Sequence, residues 1–181
     1  MNVEHKRPQQ WSPLSTPQLQ RHLGDFNEWV LCGGNSVDEW LGRTTRTHAD
    51  TDIGVFRSQL ENCLSRFDRR QVFLCDPPGH HRQWDGKQVA IGVHDIWISD
   101  YEGDNWLLQI MVFDDEGDEV FYRRDPRIRW PKHCHGISVN QVRLLNPLIT
   151  LLYKANRKTL EAKDAMDIGN LIASLPELIH H

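Results

Sequence analysis

Trp29-Val30-Leu31-Cys32-Gly33-Gly34-Asn35-Ser36-Val37-Asp38, followed twelve residues on by Asp50-Thr51-Asp52-Ile53-Gly54-Val55-Phe56, is the stretch on which the fold turns. The apolar run Trp29–Cys32 ends at a glycine pair and reads as a buried strand entering a tight turn. Asn35 and Ser36 are residue types that cap helices, so a short helix is predicted over Val37 to Leu41, stopping at Gly42. A polar loop, Arg43 to Ala49, leads into a second strand at Asp52–Phe56. Residues i and i+2 of a strand point to one face, so Asp50 and Asp52 present their carboxylates together. Two carboxylates a few ångströms apart repel each other unless a cation lies between them. Mg²⁺ or Mn²⁺ takes hard oxygen ligands and also binds phosphate oxygens, so such a pair beside a glycine turn suits a metal–nucleotide site. Gly33 and Gly34 let the backbone approach phosphates and present amide N–H groups at a helix start, where Asn35 or Ser36 can add a contact. Taken singly these signals are weak: a bare DxD is more often a turn or solvated edge, and a Gly-Gly before a helix is usually geometry.

Working outward, Thr16 to Phe26 carries Leu19, Leu23 and Phe26 at helical spacing behind a capping Thr. Ser58 is placed to cap a helix over Gln59 to Phe67, and Val72–Cys75 reads as a strand. Further strands are predicted at Gln88–Ile91, Val93–Ser99, Trp106–Phe113 and Glu119–Tyr122, with an acidic turn at Asp114–Asp118. Arg123 to Gly136 reads as an irregular connection. Asn146-Pro147 opens a helix over Leu148 to Arg157. A second helix, Thr159 to Leu175, gathers Leu160, Ala165, Ile168, Leu171 and Ile172 on one face. The expected architecture is therefore α/β (α+β), a mixed sheet flanked by helices with a short helical C-terminal part. Its divisions are a polar lead at 1–15, a core at 16–140 and C-terminal helices at 141–181.

The composition narrows the function classes. A length of 181 residues with 39% hydrophobic and 25% charged residues suits one domain with a real core. No run approaches the roughly 18 apolar residues of a membrane span, and Met1 to Pro13 lacks a signal-like apolar stretch, so a cytoplasmic protein is expected. A net charge of −4 with both signs interspersed argues against nucleic acid as a partner. Cys32, Cys63, Cys75 and Cys134 show no CxxC spacing and read as free thiols. His80-His81 and His133-Cys134-His135 lack the opposing pair of a zinc site, and Asp76 to Arg82 reads as solvated surface. His180-His181 is given no weight. There is no Walker loop, GxGxxG or GxSxG.

In combination, Gly33-Gly34-Asn35-Ser36-Val37-Asp38, Leu41-Gly42-Arg43, Thr45-Arg46, His48 and Asp50-Thr51-Asp52-Ile53 closely resemble the opening of aminoglycoside and lincosamide nucleotidyltransferases, of the DNA polymerase β-like superfamily. Later landmarks of that group resemble His94-Asp95-Ile96-Trp97, Tyr122-Arg123-Arg124-Asp125-Pro126, Pro147, Leu151-Leu152-Tyr153-Lys154-Ala155 and Lys163-Asp164. The resemblance implies that Asp50 and Asp52 hold the catalytic metals and that Gly33 and Gly34 pack on the triphosphate. It also implies that Asn35, Arg43, Arg46 and His48 surround the nucleotide. Lys154 and Lys163 are implied as phosphate contacts, or as cations of a solvated helix face paired with Glu161 or Asp164. Trp40 and Trp97 are candidates for stacking on a base or substrate, or for the core.

That group uses a third carboxylate on a neighbouring strand, and here the corresponding mid-strand polar residue is Gln109. An amide offers a metal one neutral oxygen but cannot act as a general base. Asp95, or Asp114 in another register, is the alternative acid. The implied activity is transfer of a nucleoside monophosphate, AMP from Mg·ATP or its counterpart from another nucleoside triphosphate, to a hydroxyl of a small molecule, with antibiotics as the group's known acceptors. The competing reading is a degenerate nucleotide-binding or protein-interaction module of the same fold.

Overall fold

The computed structural model describes residues 7–180; the first six residues of the polar lead and His181 lie outside them. In chain order the elements are β1 (Gln10–Trp11), α1 (Thr16–Leu23), β2 (Trp29–Cys32), α2 (Gly33–Leu41), β3 (Asp52–Phe56), α3 (Leu60–Leu64), β4 (Val72–Cys75), β5 (His81–Gln83), β6 (Asp95–Ser99) and β7 (Asn105–Phe113). Then come β8 (Asp115–Glu116), β9 (Glu119–Phe121), β10 (Arg129–Pro131), β11 (Gly136–Val139), β12 (Val142–Leu145), α4 (Pro147–Ala155) and α5 (Ala162–Ser174). A mixed sheet runs in the order β11-β12-β2-β3-β7-β6-β4-β5, with β1 added alongside β7, and β10-β9-β8 form a small second sheet. The architecture is the α+β arrangement expected.

Strand alternation divides the sheet into two chemically different faces. Ile53 and Val55 of β3, Leu108, Ile110 and Val112 of β7, and Ile96 and Ile98 of β6 pack in the main core with Leu19, Leu23, Val37, Trp40, Leu60, Leu64 and Leu171 from α1, α2, α3 and α5. The opposite face carries a smaller apolar cluster of Val30, Cys32, Phe56, Phe113, Val120, Leu145 and Ile149, covered by β9 and α4. The pairing of β3 with β7 is parallel and sets Asp52 beside Gln109; the antiparallel pairing of β6 with β7 sets Asp95 beside Met111 and Trp97 beside Gln109. All the polar positions therefore fall on the face that α4 only partly covers.

Several local expectations need correction. Helix α2 begins at Gly33 itself, because the chain passes from β2 into the helix with Gly33 at φ +66°. Asn35 and Ser36 are consequently inside it: the Ser36 hydroxyl donates to Gly33 O (2.9 Å) and the Asn35 amide to Asp50 O (3.0 Å). No strand forms over Gln88–Ile91, where the Arg57 guanidinium takes the carbonyls of Ala90 and Ile91 (3.4 and 3.0 Å) that a ladder would need. The supposedly irregular segment 123–136 contains β10, and residues 136–145 form a hairpin whose two-residue turn, Asn140-Gln141, has φ of 47° and 66°. That is the backbone of a primed turn, written without the glycine that normally announces it. The segment taken as solvated surface contains the start of β5, and His81 packs against Trp97 and Trp106, with centroids 4.3 and 5.3 Å apart.

The largest correction concerns α5. Leu160 and Ile172, expected inside, are 51% and 54% exposed, whereas Asp164 and Asp167 are at most 1% exposed and share the buried face with Leu171 and Ser174. The acids are buried because cations meet them there: Arg46 Nη2 and Lys154 Nζ reach Asp167 Oδ2 at 2.9 and 2.8 Å, and Arg157 Nη1 reaches Asp164 Oδ2 at 2.8 Å. Burial alone would push both carboxyls up, but these partners outweigh it and hold them below the ordinary aspartate value. No helix among the described residues is long and apolar enough to cross a membrane.

Removing one partner of a buried ion network leaves the others uncompensated. Asp167→Ala is therefore expected to lower stability by about 3–5 kcal/mol. By contrast, Ile172→Ala should stay within about 0.5 kcal/mol. Urea denaturation followed by tryptophan fluorescence measures both, and the reverse order would restore the apolar face read from the sequence.

Candidate functional site

The site is built where two strands end on the polar face and a helix begins. Gly33, the first residue of α2, lies so close to Asp52 that a side-chain carbon there would collide with Asp52 Oδ2, and its positive φ excludes ordinary residues as well. Next to it, a side chain on Gly34 would run into Arg46 Nη2 and the His48 ring. The glycine pair is thus required by close approach on both sides, of a carboxylate at Gly33 and of the Thr45–Asp50 loop at Gly34.

That loop is held by acids of the flanking helices. Asp38 of α2 accepts from the Thr45 N–H (3.0 Å) and pairs with His48 Nε2 (2.6 Å). Asp167 of α5 takes Arg46 in a two-pronged contact, from Nε at 3.2 Å and Nη2 at 2.9 Å. Asn35 fixes the Asp50 carbonyl. Three residues the sequence nominated thus position the backbone that carries Asp50.

The resulting cleft has a volume of about 500 Å³. Gly33, Gly34, Asp50, Asp52, Asp95, Gln109, Arg46, Lys154 and Lys163 all line it. Asn35, Arg43 and His48 are not among its lining residues; Arg43 is exposed at the end of α2. Trp40 is a core residue, its indole N–H donating to Ser174 Oγ at 2.8 Å. Trp97 packs at 5.0 Å on Trp11 and donates to Asp95. The sequence reading also passed over contributors. Thr150 and Tyr153 of α4 and Arg157 just past its end stand at i, i+3 and i+7 with the nominated Lys154 at i+4, and all four line the cleft, a spacing legible in advance. Arg123 and Arg124 line it too.

Asp52 is a carboxylate under pressure. Burial, and then repulsion from Asp50 and Asp95, raises its pKa to about 7, partly relieved by Lys154 and Arg157. Asp95 is also raised, chiefly by burial, against the hydrogen bonds it accepts. Gln109 Nε2 (2.8 Å) and Trp97 Nε1 (3.0 Å) both donate to Oδ1, and the Cys75 thiol is a third donor to the carboxylate. Gln109 therefore spends an amide N–H on Asp95, while its backbone pairs beside Asp52 in the β3–β7 ladder.

No group of three or more His, Cys, Asp or Glu side chains among the described residues is arranged to hold a metal by itself. The donors nonetheless fit a hard cation: the Asp52 carboxylate has no hydrogen-bond or ion-pair partner of its own among the described residues, and its chief electrostatic strain is one that a divalent ion beside Asp50 and Asp52 would relieve. Mg²⁺ commonly takes one or two protein carboxylates and completes its sphere with water and phosphate oxygens.

Neither a protein-family model nor a curated protein matches the chain by sequence. Among solved structures, it resembles the lincosamide antibiotic adenylyltransferase LnuA, solved with lincomycin bound, at a TM-score of 0.57 and 16% identity over 89% of this chain and 98% of that one. It also resembles ANT(2″)-Ia in complex with adenylyl-2″-tobramycin, at a TM-score of 0.51 and 13% identity over 84% and 83% of the two chains. The fold is nucleotidyltransferase-like. At these identities the likeness is one of fold.

A folded-state pKa raised above the unfolded value costs stability as pH rises. The protonated carboxyl is tolerated below about pH 4, the cost builds between the unfolded value and about 7, and it is complete above. In metal-free protein, Asp52→Asn is expected to raise stability at pH 8 by on the order of 2–4 kcal/mol and to have no effect near pH 3.5. Thermal melts in chelator at the two pH values test this; a pH-independent effect would show that Asp52 is not strained in this way.

Proposed function

We propose that this protein is a nucleotidyltransferase that moves a nucleoside monophosphate, AMP from Mg·ATP being the first candidate, onto a hydroxyl of a small-molecule acceptor. The observation that carries this reading is Asp95. It shares the cleft with Asp50 and Asp52, and two donors hold its Oδ1. A carboxylate oriented by neutral donors and kept basic by burial is suited to take a proton. The acid that the resembled enzymes carry on the strand beside the metal pair is thus replaced by Gln109, with Asp95 on the next strand as the base.

In the reaction, the acceptor oxygen attacks the α-phosphorus in line, and the new P–O bond forms as the bond to the bridging α–β oxygen breaks. Asp95 takes the hydroxyl proton, and pyrophosphate leaves with the bridging oxygen. Asp50 and Asp52, with the Gln109 carbonyl as a neutral donor, would hold Mg²⁺, which when bound supplies charge stabilisation to the phosphoryl oxygens. Lys154 and Arg157, whose charges act on Asp52, and Lys163, which also lines the cleft, offer positive charge to the phosphates, while the first turn of α2 offers its amide end. The small molecules bound in the two similar structures support an acceptor of comparable size.

Gln109 favours one rival: a cleft that binds Mg·nucleotide without transferring it. Pyrophosphate release from labelled ATP over an acceptor panel, alongside calorimetric nucleotide binding, separates the two. Asp95→Asn is expected to cut turnover by roughly 10²–10⁴-fold while nucleotide affinity changes little. Asp50→Asn with Asp52→Asn should remove the Mg²⁺ dependence of binding. Unchanged turnover in Asp95→Asn overturns its role as base, and wild-type binding without turnover on any acceptor supports the rival.

A further inference from the structure

A hydroxyl inside a helix ordinarily satisfies itself by bonding back to a carbonyl three or four residues earlier. The buried Ser36 of α2 and Ser174 of α5 do so, donating to Gly33 O and Leu171 O at 2.9 Å. Two other buried hydroxyls, those of Thr51 and Ser99, donate to the carbonyls of Leu14 and Asp100, also at 2.9 Å. Thr150 of α4 differs. It is 4% exposed and lines the cleft, and its Oγ1 has no hydrogen-bond partner among the described residues. An unpaired buried hydroxyl is costly to a folded chain, so this one calls for a partner from outside it.

The sheet and α4 place Thr150 within the cleft. Asp52 on β3 stands between two flanks. Toward β6 come Gln109 and then Asp95; toward β12 come Cys32, which pairs with Asp52, and Leu145, one residue past the Leu144–Leu31 pair. Helix α4 follows β12 and packs against β12 and α2, so Thr150 belongs to the β12 flank, across the sheet from Asp95. One turn further along α4, Lys154 Nζ lies 2.8 Å from Asp167 Oδ2, the oxygen that Arg46 Nη2 reaches at 2.9 Å. A side chain at Gly34 would run into that same Nη2. Lys154 is thereby tied to the glycine turn, and Thr150 is about 6 Å away from it along the helix axis.

We infer that the Thr150 hydroxyl pairs with the polar edge of the nucleobase, which makes Thr150 a residue that decides which nucleotide is held. A triphosphate seated between the glycine turn and Lys154 has its nucleoside within reach of the preceding turn of α4. The cleft's apolar lining, Cys32, Met111, Leu145 and Tyr153, belongs to the smaller core cluster or packs against it. Apolar walls with one hydroxyl match a base, which has apolar faces and a hydrogen-bonding edge. A hydroxyl both donates and accepts, so it can meet either an amino or a carbonyl group of that edge. This inference rests on the nucleotidyl-transfer reading and specifies its first substrate.

The test is calorimetric titration of the full chain in Mg²⁺ with the α,β-methylene analogues of ATP, GTP, CTP and UTP. Tripolyphosphate serves as the probe without a base. The wild type is expected to bind at least one analogue more tightly than tripolyphosphate. Thr150→Val, which exchanges the hydroxyl for a methyl group, should weaken that analogue about three- to tenfold and leave tripolyphosphate within about twofold. Thr150→Ser should keep the preference. Because valine removes an unpaired hydroxyl, the ligand-free Thr150→Val protein should melt at or above the wild-type temperature. A clearly lower melting temperature would show the hydroxyl already bonded within the protein, and overturns the inference. So do unchanged analogue affinities in Thr150→Val, or equal losses for analogue and tripolyphosphate, which would place Thr150 at the phosphates. A wild type that holds tripolyphosphate as tightly as every analogue also overturns it, with the triphosphate site intact. Failure of the wild type to bind any probe sinks the nucleotidyl-transfer reading, and this inference with it.

Discussion

The carboxylate of Asp52, pressed against the first residue of α2, is the constraint around which the rest of the site is arranged. Its position requires a residue without a side chain at Gly33 and a helix that starts directly from β2. Parallel pairing of β3 with β7 then brings Gln109 alongside, and antiparallel pairing of β7 with β6 adds Asp95 one strand further. Because strand side chains alternate, one register decision settles all three: a slip by one residue would turn Asp52, Gln109 and Asp95 into the main core and bring Ile53, Ile110 and Ile96 out. Those isoleucines are fully buried, so the hydrophobic effect on one face enforces the polar constellation on the other.

The second support is electrostatic and comes from the far end of the chain. Asp164 and Asp167 on α5 are buried and paired with the partly buried Arg46 and Lys154 and with the exposed Arg157. The network ties the loop before Asp50 to the C-terminal helices and holds the cations of the cleft wall in fixed places. A carboxylate at 0% exposure is tolerated only with partners of this kind. The same acids therefore serve packing and site geometry together, and they partly neutralise a wall that would otherwise be strongly basic.

How much of this could be read from the sequence follows from how local each determinant is. β2, β3 and β4 fall on the residues read as strands, since apolar runs bounded by glycine or polar residues carry their own signal. Asp50, Asp52, Asp95 and Gln109 were all nominated, and they line one cleft. The link between Gln109 and Asp95 was not legible, because it spans two strands and depends on register. The 136–145 hairpin was missed because Asn140-Gln141 adopts a primed turn without glycine. The buried face of α5 was misassigned for a sharper reason. Periodicity weighs apolar residues, and here aspartates go inward because their partners arrive from residues 46, 154 and 157. No window along α5 contains that information. His48 was read as a nucleotide contact, but it is spent on Asp38 within the loop's own scaffold.

The amide at position 109 has a consequence for charge balance. With an acid there, Asp50, Asp52 and residue 109 would bring three carboxylates together, and Asp95 would make a fourth on the adjacent strand. Asp52 is already held near neutrality by two such neighbours in addition to its burial. A neutral side chain at the centre of the group limits the repulsion, and it converts what would be a like-charge contact with Asp95 into a hydrogen bond of 2.8 Å. The acid and the amide are therefore not independent substitutions. Once the carboxylate stands on β6, the neighbouring position on β7 is best filled by a donor, and glutamine supplies one N–H to Asp95 while keeping a neutral carbonyl oxygen as an acceptor. The Trp97 indole adds a second donor to the same Oδ1, and with the Cys75 thiol the carboxylate is oriented by neutral donors throughout. None of these donors brings a formal charge into the cleft, so the positive charge there comes from the arginines and lysines that line it.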